Sequence, residues 1–195
     1  MSIQDNKLLE EINDNILLHK SLINQKKNIN VIINKIYKSL KGGGKILICG
    51  NGGSSSDASH LAAEFLVRLR PEINRIPLAA IPLTIDSATI TACGNDYGFE
   101  NLFLRNFKAL AKKKDILLII STSGNSKNIL NVAKYANKKN QVIGFLGNKG
   151  GKAKKFCNTS VIVKSNNVAR IQECHIFLGH FIIKEVENLI IKKNK

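Results

Sequence analysis

The sequence predicts an α/β protein, a single doubly wound domain whose parallel sheet is covered by helices on both faces. Three observations predict it. Five short runs are apolar on both faces, as strands buried between two helical layers are. The stretches between them carry apolar residues at spacings of three and four, the period of a helix. Strand and helix alternate along the chain, the pattern that right-handed crossovers produce.

The elements follow in order. Leu8, Leu9, Ile12, Ile16, Leu17, Ile23, Ile32, Ile36 and Leu40 mark an amphipathic helix over about 5–40, with a break near Lys26-Lys27-Asn28. Gly42-Gly43-Gly44 stops it. A helix ahead of the first strand must bury its stripe on the domain, on another subunit, or on both. Both is the expectation here, which implies an oligomer. Strands are expected at 45–49, 78–81 (tightly bracketed by Pro77 and Pro82), 116–120, 141–146 and 159–163. A last helix runs from about Val168 to Lys192 through Ile171, Phe177, Leu178, Phe181, Ile182, Val186 and Leu189. With 195 residues, no Pro/Gly/Ser-rich linker and no internal repeat, one domain spanning 1–195 suffices.

Ligands of such sheets bind at the carboxyl ends of the strands. Two polar clusters sit there. One is Cys49-Gly50-Asn51-Gly52-Gly53-Ser54-Ser55-Ser56; the other is Ser121-Thr122-Ser123-Gly124-Asn125-Ser126. Each leads from a strand into a helix, where free N–H groups and the positive end of the helix meet an anion. Ordinary N-caps and turns use the same residue types. A third polar loop, Thr84-Ile85-Asp86-Ser87, follows strand 2. Neither a Walker A loop nor the dinucleotide fingerprint is present. His60 and Glu64, four apart, share a helix face and can share a divalent metal, although a single hydrogen bond is the commoner fate of such a pair. The last helix adds Gln172, Glu173, His175 and His180. Gln172 and His180 are separated by a rise of about 12 Å, too far for one helix to bring both to one ion. An irregular helix start or ligands from different subunits would resolve that distance. His175 reads as a supporting or surface histidine.

The formal charge is +16, with lysine clusters at 112–114, 138–139 and 192–193. No basic stretch is interleaved with aromatics, so a solvated surface is expected rather than a nucleic-acid partner. The field would still draw anionic substrates. The four cysteines form no Cys-x-x-Cys pair and are expected as reduced thiols. No apolar run spans a bilayer and no secretory pattern opens the chain, so a cytoplasmic protein without a membrane partner is expected.

On these residues the chain resembles the sugar isomerase (SIS) domain family, and within it the phosphoheptose isomerases. The motifs are Cys49 through Ser54, Asp57-Ala58 with His60 and Glu64, Gly94-Asn95-Asp96-Tyr97-Gly98, Ser121 through Ser126, and Arg170-Ile171-Gln172-Glu173 with His175 and His180. The resemblance implies a three-layer αβα sandwich with a five-stranded sheet in flavodoxin-like order and a long N-terminal helix used in oligomer packing. It implies a homotetramer with active sites at subunit interfaces. It implies one Zn2+ per subunit on His60, Glu64, Gln172 and His180. The sugar phosphate would contact Asn51, Gly52, Gly53, Glu64, Asn95, Asp96, Ser121, Thr122, Ser123, Ser126 and Gln172. The implied reaction converts sedoheptulose 7-phosphate to D-glycero-D-manno-heptose 7-phosphate through an enediol, the first step toward the ADP- or GDP-heptose used in lipopolysaccharide core synthesis. Glu64 would move the carbon-bound proton, with Glu173 as the rival base, and His180 would relay protons on oxygen. Ala169 departs from relatives that carry an acid before the Arg-Ile-Gln-Glu motif. The competing expectation is a non-catalytic SIS tetramer that binds a replication-initiator protein; the carboxylate of Glu64 argues for the enzyme.

Overall fold

The computed structural model describes residues 3–84 and 86–192; Met1, Ser2, Ile85 and 193–195 lie outside them, among them part of the third polar loop and of the last lysine cluster. Helix α1 (Ile3–Ser21), a 3₁₀ turn (Leu22–Gln25) and α2 (Lys26–Lys41) precede β1 (Ile46–Cys49). Then come α3 (Gly53–Leu66), β2 (Ala80–Pro82), α4 (Ser87–Tyr97) and α5 (Leu102–Leu110). The rest is β3 (Ile116–Ser121), α6 (Lys127–Ala136), β4 (Gln141–Gly147), β5 (Thr159–Val163) and α7 (Val168–Lys192).

The five strands are all parallel, in the order β2-β1-β3-β4-β5. Alternate strand residues feed two cores. Ile46, Ile48, Leu118, Ile120, Phe145 and Val163 pack with α2, α3 and α7 on one face. Leu47, Cys49, Leu117, Ile119 and Leu146 pack with α5 and α6 on the other. Three layers result, and both faces of the sheet are dry.

Two boundaries depart from the sequence reading. Strand β2 starts two residues later than expected and takes in Pro82, because it is an edge strand on which a missing N–H costs no ladder bond. The helix break falls at 22–25 rather than at the lysines. There Leu22 turns into the core, and Gln25 pairs both amide groups with the backbone of Ile162 on β5. Asn28 adds a bond to the Ser160 carbonyl. Side-chain amides thereby occupy the other open edge of the sheet, which would otherwise invite pairing with another chain.

The two N-terminal helices behave differently. Helix α2 buries Ile29, Ile32, Ile33 and Ile36 in the core of its own domain. Helix α1 buries no residue and leaves Leu8, Leu9, Ile12, Ile16 and Leu17 exposed. Among the described residues no helix is long and apolar enough to cross a membrane. All four cysteines are free; burial pushes the thiol of Cys49 far up, and those of Cys157 and Cys174 to about 12 and about 11.

Helices α3 and α7 run side by side in the same direction. A Cβ at Gly179 would sit 2.4 Å from Leu61, so the small residue lets the two helices touch. At the far end Glu187 is fully buried and accepts from Arg70 Nε, at 3.1 Å, and from Arg75 Nε, at 2.8 Å. Arg75 also donates to the carbonyls of Glu64, at 2.7 Å, and Phe65, at 2.9 Å, capping the C-terminus of α3. Removing Glu187 would strand a buried arginine. The expected outcome for Glu187→Ala is a loss of about 3–5 kcal/mol in urea unfolding; a loss below about 1 kcal/mol would show that the cluster does not hold the seam.

Candidate active site

The strand order reverses between β1 and β3, and the loops after these two strands flank that crevice. Register places Cys49 opposite Ile119, so the two polar clusters emerge side by side. An amide pair joins them. Asn51 Nδ2 donates to Asn128 Oδ1, at 2.9 Å, and Asn128 Nδ2 returns a bond to Asn51 Oδ1, at 2.8 Å. The Asn51 side chain therefore braces the site. Gly52, with φ of 56°, turns the chain into α3. Ser55 donates to Thr84 Oγ1, tying in the loop after β2.

In the second loop Ser121 is buried and accepts from the Gly124 N–H at 3.0 Å. Gly124 has φ of 63°, and a Cβ there would sit 2.1 Å from the Gly150 carbonyl. Asn125 accepts from the Lys152 N–H, and Gly124 O from the Ala153 N–H. The loop is thus clamped against residues 150–153, while Thr122 and Ser123 face an open cavity of about 380 Å³. Asn148, Lys149, Ser165 and Asn166 line its other side. That volume lies in the range of small-molecule sites. Ser126 caps the start of α6 with its backbone and makes no side-chain cap bond.

The α3–α7 seam carries the titratable groups. At its start a Cβ on Gly53 would lie 2.6 Å from Gln172 Nε2, so the glycine makes room for that amide. Two turns on, His60 Nε2 and His180 Nε2 are 2.8 Å apart, and Glu64 Oε1 is 3.7 Å from His60 Nε2. Burial first, then the neighbouring His60, holds the pKa of His180 below its ordinary value, against the opposing pull of Glu64. The structure thus brings His60, Glu64 and His180 together. Within one chain it leaves Gln172 at the other end of the seam, as the rise along α7 requires. Two imidazole nitrogens and a carboxylate oxygen that converge fit zinc by donor type. Among the described residues no group of three or more His, Cys, Asp and Glu side chains is arranged to hold a metal ion as it stands.

Other expected site residues lie apart. Asn95 donates to Asp96 on the exposed end of α4, and no hydrogen bond joins either to the two loops among the described residues. Asp86 caps α4 by accepting from Thr89 N and Oγ1, and these bonds hold its pKa down. Both oxygens of Glu173 are taken, one by Arg170 and one by Asn15 of α1. The Glu64 carboxylate accepts no hydrogen bond among the described residues. Ala169 lies in the first turn of α7, where its N–H donates to Asn167 Oδ1. Sequence reasoning missed Asn128, Asn148 and Lys149, and gave Asp57 of the Asp57-Ala58 motif no role. Asn128 gives no local signal. Asn148 and Lys149 do, in the run Gly147-Asn148-Lys149-Gly150-Gly151 after β4. Asp57, one turn before His60, has a buried Oδ2 without a partner, and burial raises its pKa despite the nearby His60.

Comparison with known proteins fits this geometry. The SIS domain profile matches residues 13–147. A phosphoheptose isomerase of Campylobacter concisus is 49% identical over 153 residues, covering 78% of this chain and 80% of that one. One from Leptospira biflexa is 41% identical over 185 residues, 94% and 95% of the two chains.

The chain belongs to the SIS domain family.

Solved structures of phosphoheptose isomerases agree in fold. The one from Francisella tularensis superposes with a TM-score of 0.89 at 36% identity, covering 96% of this chain and all of that one, 100%. The one from Neisseria gonorrhoeae gives 0.87 at 33%, covering 95% and 99%. By this kinship the chain is an isomerase.

Two outcomes follow from the site. Gly124→Ala forces a Cβ into the Gly150 carbonyl at a positive φ, so it is expected to cost at least about 1–3 kcal/mol, read by thermal unfolding. His175 is fully buried in the core, near Phe145, and burial pushes its pKa from 6.5 down to about 4. The unfolded chain binds that proton more readily, so the stability is whole above pH 6.5 and is lost as pH falls toward 4. The loss amounts to about 3 kcal/mol. Urea unfolding at pH 7 and at pH 4.5 should show a shallower pH dependence for His175→Leu than for the wild type.

Proposed function

We propose that the protein isomerises sedoheptulose 7-phosphate to D-glycero-D-manno-heptose 7-phosphate, as a step toward nucleotide-activated heptose. The observation that carries this reading is the pairing of a hydroxyl-rich anion loop with a free carboxylate beside two histidines, in a chain akin to phosphoheptose isomerases. The phosphate is received by the hydroxyls of Thr122 and Ser123 and the N–H groups at the start of α6, whose dipole favours an anion. Lys149 adds charge on the opposite wall. Gln172, beside Gly53, is positioned to orient the sugar hydroxyls. Glu64 takes the proton from C1 of the ketose while the C2 oxygen gains one, giving the enediol. The proton on O1 then leaves and C2 is protonated, giving the aldehyde. Glu64 is favoured over Glu173 because its carboxylate accepts no hydrogen bond among the described residues, whereas Arg170 and Asn15 occupy both oxygens of Glu173. His180, neutral because its pKa is held down, accepts and returns the oxygen-bound protons. Zinc, held by His60, Glu64 and His180 with Gln172 contributed across a subunit interface as the implied fourth donor, would supply Lewis-acid polarisation of the substrate oxygens.

The same reading includes a homotetramer with sites at subunit interfaces. The exposed apolar stripe of α1 supports it, since none of the described residues covers that stripe.

The test is aldose formation from sedoheptulose 7-phosphate by purified protein. Turnover is expected to vanish on chelation and to return with zinc. Glu64→Gln is expected to lower kcat about 10²–10⁴-fold. Absence of turnover under every condition, or full turnover by Glu64→Gln, would overturn the reading.

A further inference from the structure

The strongest charge feature lies at the opposite end of the sheet from the candidate active site. Five elements meet there, at the C-termini of α2 and α6 and the amino ends of β3, β4 and β5. Between them is a cavity of about 610 Å³. Six lysines line it: Lys35 and Lys38 from α2, Lys113 and Lys114 from the turn before β3, and Lys138 and Lys139 from the turn after α6. Its only carboxylate is Asp115. That group is buried and already saturated, with Oδ1 on the Lys45 N–H and Oδ2 on Lys45 Nζ and the Lys112 N–H. The cavity is therefore lined by six lysines and, among the described residues, by no free carboxylate.

Local structure explains part of this. Cations at the ends of α2 and α6 complement the helix dipoles. Lys114 donates to the Gly42 carbonyl, and Lys35 to Thr159 Oγ1. The ammonium groups of Lys38, Lys113 and Lys138 have no hydrogen-bond or ion-pair partner among the described residues, whereas that of Lys139 donates to the Tyr135 hydroxyl. Lys113 and Lys114 belong to no helix end, yet the topology delivers them to the same cavity. Like charges gathered in one concavity repel one another and concentrate anions. No aromatic ring lines the walls, so nothing there would stack on a base.

We propose that this cavity is a second anion site that binds an oligophosphate chain, with one bound per protomer. Lysines act as point charges that follow a phosphate chain without the fixed fork that arginine offers. The neighbouring Asn137 and Gln141 add neutral polar groups to the same walls. The site is separate from the isomerase chemistry, being at the amino ends of the strands, and stands or falls without it.

Calorimetric titration of inorganic tripolyphosphate into the full-length protein at about 0.15 M salt tests it. Saturable binding at one per protomer is expected. Lys113→Glu combined with Lys138→Glu is expected to weaken it about tenfold or more. Lys26→Glu combined with Lys27→Glu changes the net charge equally at the far end of α2 and is expected to bind as the wild type does. ATP and AMP as further titrants separate the sources. ATP binding as tightly as tripolyphosphate, with AMP silent, identifies a nucleoside triphosphate through its phosphate chain; tripolyphosphate alone identifies free polyphosphate. Absence of saturation, or an equal effect of both variant pairs, would overturn the proposal, because the charge would then be a diffuse field only.

Discussion

The contact between α3 and α7 sets the positions of the titratable groups. Each of these helices crosses back over the same face of the sheet, so they run parallel and can match residue for residue. Gly53 meets Gln172, Leu61 meets Gly179, His60 meets His180, and the α3 C-terminus meets Glu187 through Arg75. The small residues permit close approach, and the buried ionic cluster fixes the axial position. A slip of one helix along the other would strand the Glu187 charge in a dry interior, at a cost of several kcal/mol. The histidine pair is therefore held by a contact two turns away that takes no part in any chemistry.

A second constraint comes from the sheet. Parallel order with a reversal between β1 and β3 opens one crevice, and register brings the ends of these strands level. The Asn51–Asn128 amide pair then closes the crevice at its base. Each amide satisfies the other, so neither is left unpaired on the buried side, and the rigid base leaves Thr122 and Ser123 facing the cavity. Preorganised neutral donors suit a phosphate, since they need not rearrange as it binds.

Much of this is legible in the sequence because burial on two faces writes a simple pattern. Runs such as Ile116 to Ile120 have no polar alternation, and β3, β4, β5 and α7 follow directly. What was illegible depends on distant partners. The break at 22–25 has no glycine or proline; it exists because Leu22 finds the core and Gln25 finds Ile162. Strand β2 was displaced because proline marks a strand end in most settings, but not on an edge. His60 and Glu64 could be paired from their spacing, and the separation of Gln172 from His180 could be calculated from helical rise. That His180 lies against His60 needs the α3–α7 register, which no local pattern encodes. Asn128 looks like any asparagine early in a helix until Asn51 is placed beside it.

The histidine pair has a consequence for the charge state of the site. Two Nε2 atoms at 2.8 Å can share one proton; two protons would set N–H against N–H and cation against cation. Partial burial of His180, then the neighbouring His60, holds the His180 pKa below its ordinary value. The carboxylate of Glu64, which accepts no hydrogen bond among the described residues, lies in the same small region. Such a region attracts an electrophile or an acidic proton, not an anion. The protein as a whole is strongly cationic and draws anions from a distance. Under the proposed function, long-range attraction and local preference would act on different parts of one ligand: the field would bring the phosphate, the hydroxyl loop would hold it, and the electron-rich seam would be left for the reacting end.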